Sequence, residues 1–187
     1  MQRLLASLAC SGTIVLAGCV NPVLVKVSYE NPVAHTSEKS ASIQLTTGVV
    51  EGDAGLPVPF RSNPSLNFNH QDQRIFVESL KDELNRLKLL RVGQVSERQV
   101  DGADVSIEVV FRRTTHFPAA QRYILDVAMR LKSGERGFAR RYLVYSAEGE
   151  SFWTNMNTNA AEGKELAARK LMARLIPDIE AFVAAAN

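Results

Sequence analysis

Tyr123-Ile124-Leu125-Asp126-Val127-Ala128-Met129-Arg130-Leu131-Lys132 places Tyr123, Leu125, Val127, Met129 and Leu131 at every second position, with Asp126, Arg130 and Lys132 between them. Successive side chains of a strand point to opposite faces, so a period of two describes a strand with one buried and one wet face. Ser133-Gly134-Glu135-Arg136-Gly137 follows, and its paired glycines suit a hairpin turn. Residues 138–146 return as a further strand. Apolar residues occupy both of its faces, Phe138, Tyr142 and Val144 on one and Leu143 and Tyr145 on the other, so the pattern leaves its register open. Upstream, Val105, Ile107, Val109 and Phe111 alternate with Ser106 and Glu108, and earlier still Ile43, Leu45 and Val49 alternate with Gln44, Thr46 and Gly48.

Two helices complete the pattern. Asn69 is a suitable N-cap with Asp72 in the first turn, and Phe76, Leu80, Leu84 and Leu87 recur at helical spacing over residues 71–90. Asp82 and Arg86 form an i,i+4 pair on the wet side, and Gly93 is the stop signal. The closing helix is expected to be capped by Asn159 with Glu162 three residues on, and it carries Leu171, Leu175, Ile179 and Phe182 on one face. Pro177 lies inside it, and an interior proline costs about 3 kcal/mol, so a kink or restart is expected near residues 175–176. Each element must bury its single apolar face against another. The expected fold is therefore an α+β two-layer sandwich, a mainly antiparallel sheet of about four strands packed by two helices.

The N-terminal segment carries an address. Arg3 supplies a positive n-region, residues 4–16 are free of charge, and Leu16-Ala17-Gly18-Cys19 closes the run. A transmembrane helix needs about 20 apolar residues, whereas a secretory h-region needs about 7 to 15. Over its first 19 residues the chain resembles bacterial lipoproteins with a lipobox formed by Leu16, Ala17, Gly18 and Cys19. The resemblance implies cleavage before Cys19, diacylglycerol on its sulfur and a fatty acid such as palmitate on its new amino group. Cys10 lacks a branched residue three positions upstream and would leave almost no h-region. Val20 follows the cysteine in place of the aspartate that retains enteric lipoproteins at the inner membrane, which implies the periplasmic face of the outer membrane.

The expected organisation is a signal peptide over residues 1–18, a lipidated N-terminus and tether over 19–42, and a single periplasmic α+β domain over 43–187. Pro22 and Pro32 punctuate the tether, and residues 23–27 within it could pair as an edge strand. Gly52, Gly55, Pro57, Pro59 and Pro64 mark a long loop before the first helix. After cleavage and lipidation no free thiol and no disulfide would remain.

The lipobox, the tether and the order of strands and helices together are similar to the layout of YajG-type periplasmic lipoproteins, and also to LptE and to auxiliary lipoproteins of ABC transporters. That resemblance implies a non-enzymatic accessory or assembly role at the cell envelope.

Catalytic chemistry is hard to place in this chain. His35, His70 and His116 have no metal-site spacing, and Asp101-Gly102-Ala103-Asp104 lacks the later acidic ligands of a calcium loop. There is no Gly-x-Ser-x-Gly elbow and no glycine-rich phosphate loop. No enzyme activity, metal or cofactor is expected. The net charge of +2 is too small for a nucleic-acid binder. Between Arg112 and Arg141, however, eight Lys or Arg residues stand against only Asp126 and Glu135. Arg112, Arg113, Arg130, Lys132, Arg140 and Arg141 form a candidate patch for anionic ligands, since clustered guanidinium groups bind phosphate and carboxylate bidentately. Strand parity puts Arg112, Arg130 and Lys132 opposite the apolar face; the plainer reading is a solvated sheet face. Two functions follow: an interaction module contacting an envelope protein, or an accessory binding anionic lipid or lipopolysaccharide. A filled core with a flat exposed patch would favour the first, and an apolar groove between sheet and helices the second.

Overall fold

The computed structural model describes residues 24–51, 67–117, 122–146 and 160–185. In chain order the elements are β1 (Ser40–Thr46), β2 (Val49–Glu51), α1 (His70–Arg86), β3 (Arg91–Ser96), β4 (Val105–Phe117), β5 (Arg122–Ser133), β6 (Arg136–Tyr145) and α2 (Ala160–Ala184). The lipobox residues, the proline-rich loop and the Asn159 cap lie outside the described residues.

The α+β class and the two covering helices hold, but the sheet is larger and mixed. Six strands take part in the order β3-β1-β4-β5-β6, with β2 also paired to β4. β1 is parallel to both β3 and β4, and only β4-β5 and β5-β6 are antiparallel. The reason is the connection. α1 carries the chain between β1 and β3, and a crossover through a helix returns the chain in its original direction, as a tight hairpin cannot. β3 was hidden in the sequence because it is an edge strand in which only Val92 is buried, with Arg91, Gly93 and Gln94 exposed.

β1 and β2 are one strand with an interruption. Ala41 pairs with Val105 and Val49 with Arg113, the same offset of 64 residues on both sides of Thr47-Gly48. The break meets a bulge in β4 between Phe111 and Arg113. There the Phe111 carbonyl presses so close that a Cβ on Gly48 would sit 1.7 Å from its oxygen. Only glycine fits this approach. The extra residue also flips the parity of β4, so that Val105, Ile107, Val109 and Phe111 are buried before it and Thr114 and His116 after it.

The open register of β6 resolves in favour of Tyr142 and Val144, which are buried, while Leu143 and Tyr145 are 42% and 37% exposed on the other face. Contact with α2 decides it: the Tyr142 hydroxyl donates to Asp178 at 2.6 Å.

α1 starts as expected. Asn69 accepts from the Asp72 amide at 3.1 Å, and Asp72 returns a bond to the Asn69 amide at 2.9 Å, a reciprocal capping box. The helix ends at Arg86 rather than near residue 90, and the stop is Lys88 at φ 53, not Gly93. The Lys88 amide bonds the Asn85 carbonyl and the Leu89 amide bonds the Leu84 carbonyl, a Schellman closure with lysine where glycine is usual. The expected i,i+4 pair is also replaced: Arg86 pairs with Glu83 at 2.6 Å, and Asp82 pairs with Lys26. α2 runs through Pro177 as one helix instead of restarting. Pro177 and Ala173 are both exposed, so the carbonyl that loses its partner faces water.

Candidate functional site

Residues 24–29 lie within the stretch expected as a tether over 19–42, with 23–27 as a candidate edge strand, and they form neither. Leu24, Val27 and Tyr29 belong to the buried core, and their backbone amides donate to side chains of α1. Leu24 donates to Asp72 at 2.7 Å, Val27 to Ser79 at 3.2 Å and Tyr29 to Glu83 at 3.2 Å. The match is geometric. The 11 helical steps from Asp72 to Glu83 rise about 16.5 Å at 1.5 Å each, and the five extended steps from Leu24 to Tyr29 span about the same at 3.3 Å each. At about 100° per residue the three acceptors lie within about 20° of one line along the helix. An extended chain crossing a helix has no neighbouring strand for its amides, so buried amides need side-chain acceptors.

The upper end of this strap is held by a buried ion pair. Lys164 of α2 donates to Asp72 at 2.7 Å, and neither side chain has any exposure. Asp72 thus accepts from Lys164, Leu24 and the Asn69 amide together. A charge pair buried this deeply persists only when its remaining lone pairs are also satisfied, as here. Tyr123 lies close by, stacked on His116 at 4.5 Å, and burial together with the Asp72 charge holds its hydroxyl protonated far above the usual tyrosine range. At the lower end Arg86 donates to the Tyr29 carbonyl at 2.7 Å while Glu83 accepts from the Tyr29 amide, so the backbone of Tyr29 is held on both sides. Further along, the amides of Ala34 and His35 donate to Glu180 of α2.

No family model matches the chain, and no curated protein is similar to it. Among solved structures it is similar to protein XCC0632 of Xanthomonas campestris, a DUF330 protein, with TM-score 0.49 and 9% identity over 89% of this chain and 97% of that one. It is also similar to an uncharacterized protein, with TM-score 0.42 and 14% identity over 80% of this chain and 98% of that one.

The six cations singled out in the sequence do not assemble into one patch. Arg140 lies on the helix side of the sheet, bonded through Nη1 to both Asp178 oxygens at 3.0 and 3.1 Å and placed over the Tyr142 ring. Arg141 is on the opposite face, bidentate to Asp126 at 2.7 Å, which keeps its guanidinium firmly charged. Arg130 meets Glu108, its direct cross-strand neighbour, at 2.8 Å. Parity could not foresee this, because Glu108 and Asp178 come from other elements. Arg113 and Lys132 share the outer face, while Arg112, at the bulge, lines a cavity of about 820 Å³ with Val49, Asn69 and His70. Among the described residues no three His, Cys, Asp or Glu side chains are grouped to hold a metal.

Both helices cover one side of the sheet, against β1, β3, β5 and β6. The other side carries the Arg130–Glu108 and Arg141–Asp126 pairs and exposed Leu143 and Tyr145. Those two residues border a 330 Å³ cleft completed by Arg113, Thr115, Ile124 and Asp126.

Proposed function

We propose that the protein is a periplasmic lipoprotein, anchored to the outer membrane through Cys19, that serves a cell-envelope complex as a non-enzymatic accessory acting by protein contact. The lipobox and the resemblance to YajG-type lipoproteins support the address. The observation that carries the role is the contrast between the two sides of the sheet. Between sheet and helices Phe76, Leu80, Leu84, Val127, Met129, Leu171 and Leu175 are wholly buried, so among the described residues the space a lipid carrier would use is filled. The other side, which no helix among the described residues covers, instead offers Leu143 and Tyr145 beside the Arg141–Asp126 pair. An exposed surface that sets Tyr145 and Arg141 beside Leu143 suits a protein partner, because tyrosine and arginine carry interface energy.

Two measurements test this reading. Fatty-acid labelling in cells should mark the parent and not Cys19→Ala; label on the variant would refute the anchor. In mild detergent extracts of membranes the parent should migrate in a complex that Leu143→Asp/Tyr145→Asp, still folded by circular dichroism, fails to enter. A parent that migrates alone and carries stoichiometric lipid by mass spectrometry would favour the lipid-binding alternative.

A further inference from the structure

The strap fixes where the chain enters the domain. Leu24, the first pinned residue, follows Cys19 by five residues. Five residues reach at most about 18 Å even when fully extended. Its anchor point is rigid, because Asp72 is held at once by the α1 cap and by buried Lys164. The same cap reaches the cavity at the bulge: Asn69, His70, Val49 and Arg112 line it, and His70 Nε2 lies 3.2 Å from the Gly48 carbonyl oxygen. Val49 there is 60% exposed. Arg112 is exposed and, among the described residues, has no carboxylate partner, unlike Arg130, Arg140 and Arg141. The opposite end of the molecule, the Gly134 hairpin, lies about 34 Å along β5 from Tyr123, ten residues at 3.4 Å each.

We infer that the end formed by the start of α1, Gly48–Val50 and Arg112 faces the membrane, with Arg112 and Val49 against the headgroups of anionic phospholipid in the leaflet that holds Cys19. The inference rests on the lipid anchor proposed above. A leash of five residues keeps the strap entry within about 18 Å of the bilayer surface, an exposed guanidinium with no carboxylate partner among the described residues is attracted to phosphate, and an exposed valine beside it meets the headgroup layer at little cost. The sheet side bearing exposed Leu143 and Tyr145 is then left to run away from the membrane, accessible to a protein partner.

The full lipidated protein, purified from membranes and placed in phosphatidylethanolamine–phosphatidylglycerol vesicles, provides the test. Single cysteines at exposed positions, Gln71→Cys at the strap end and Glu135→Cys at the hairpin, carry a fluorophore, and headgroup-spin-labelled lipid serves as quencher. The label at 71 should be quenched and the label at 135 should not. Equal quenching, or the reverse order, would overturn the orientation. In a second arm, quenching at 71 should weaken as salt rises, because exposed charges are screened over about 10 Å at 0.1 M. Arg112→Gln should abolish that salt dependence; an unchanged dependence would remove Arg112 from the contact. Intact-mass measurement of the same samples separates the two readings. A Cys19 without acyl chains refutes the anchor itself, whereas an acylated protein with equal quenching at both ends refutes only the orientation.

Discussion

α1 and α2 cover the same sheet and are built differently. α2 buries Ala167, Ala168, Leu171, Met172, Leu175, Ile176 and Ile179, and among its described residues Lys164 is the only buried charge. α1 buries Phe76, Val77, Leu80 and Leu84, and in addition Asp72, Gln73, Ser79 and Glu83. The difference is that α1 has something on both sides. Its apolar stripe packs on the sheet, while Asp72, Ser79 and Glu83 receive the amides of the strap, and the one buried charge of α2 is spent on Asp72. On α1 the line of buried acceptors at Asp72, Ser79 and Glu83 therefore marks the backbone that runs along it without a strand to pair with.

The comparison can be broken most forcefully at the ion pair. Lys164→Ala leaves the Asp72 carboxylate buried without its counter-charge and should cost about 3–5 kcal/mol in urea denaturation. Leu175→Ala, in the apolar stripe of α2, should cost about 2–5 kcal/mol as a plain cavity, with no effect on the strap. A negligible loss for Lys164→Ala would mean that the polar stripe is solvated and holds nothing. Ser79→Ala removes one neutral acceptor and should cost about 1 kcal/mol, confined to protection of the Val27 amide in hydrogen exchange. Lys88→Gly should act in the opposite direction. Relieving a lysine in the left-handed region returns about 1 kcal/mol, read as a higher urea midpoint.

The same contrast explains what could be read in advance. The strands β4 and β5 were legible because one face is wet and the other dry, and α2 because it has a single apolar stripe. The start of α1 was legible as well, since its capping box lies within four residues. β3 was not, because an edge strand with one buried valine has no period to detect. The tethering role given to residues 24–29 followed from the neighbouring prolines and polar run; what contradicts it lies 48 to 54 residues away, in the acceptors on α1. One signal was present: Asp72, Ser79 and Glu83 at spacings of seven and four fall on one helical line, beside rather than opposite the apolar stripe. The basic cluster was visible as composition, but its division between two sheet faces depends on partners such as Asp178 and Glu108, which strand parity cannot supply. Cys19, with Leu16, Ala17 and Gly18, is read from sequence alone and lies outside the described residues.

Amide hydrogen exchange at Leu24, Val27 and Tyr29, resolved by NMR on the chain lacking residues 1–19, tests most directly the claim that the strap is part of the domain. Backbone groups held by buried acceptors open only with the surrounding structure. The three amides should exchange as slowly as those of β5, whereas exposed Val25 and Ser28 should exchange faster. Exchange of all five at the rate of an unfolded peptide would contradict the account and return residues 24–29 to a free tether.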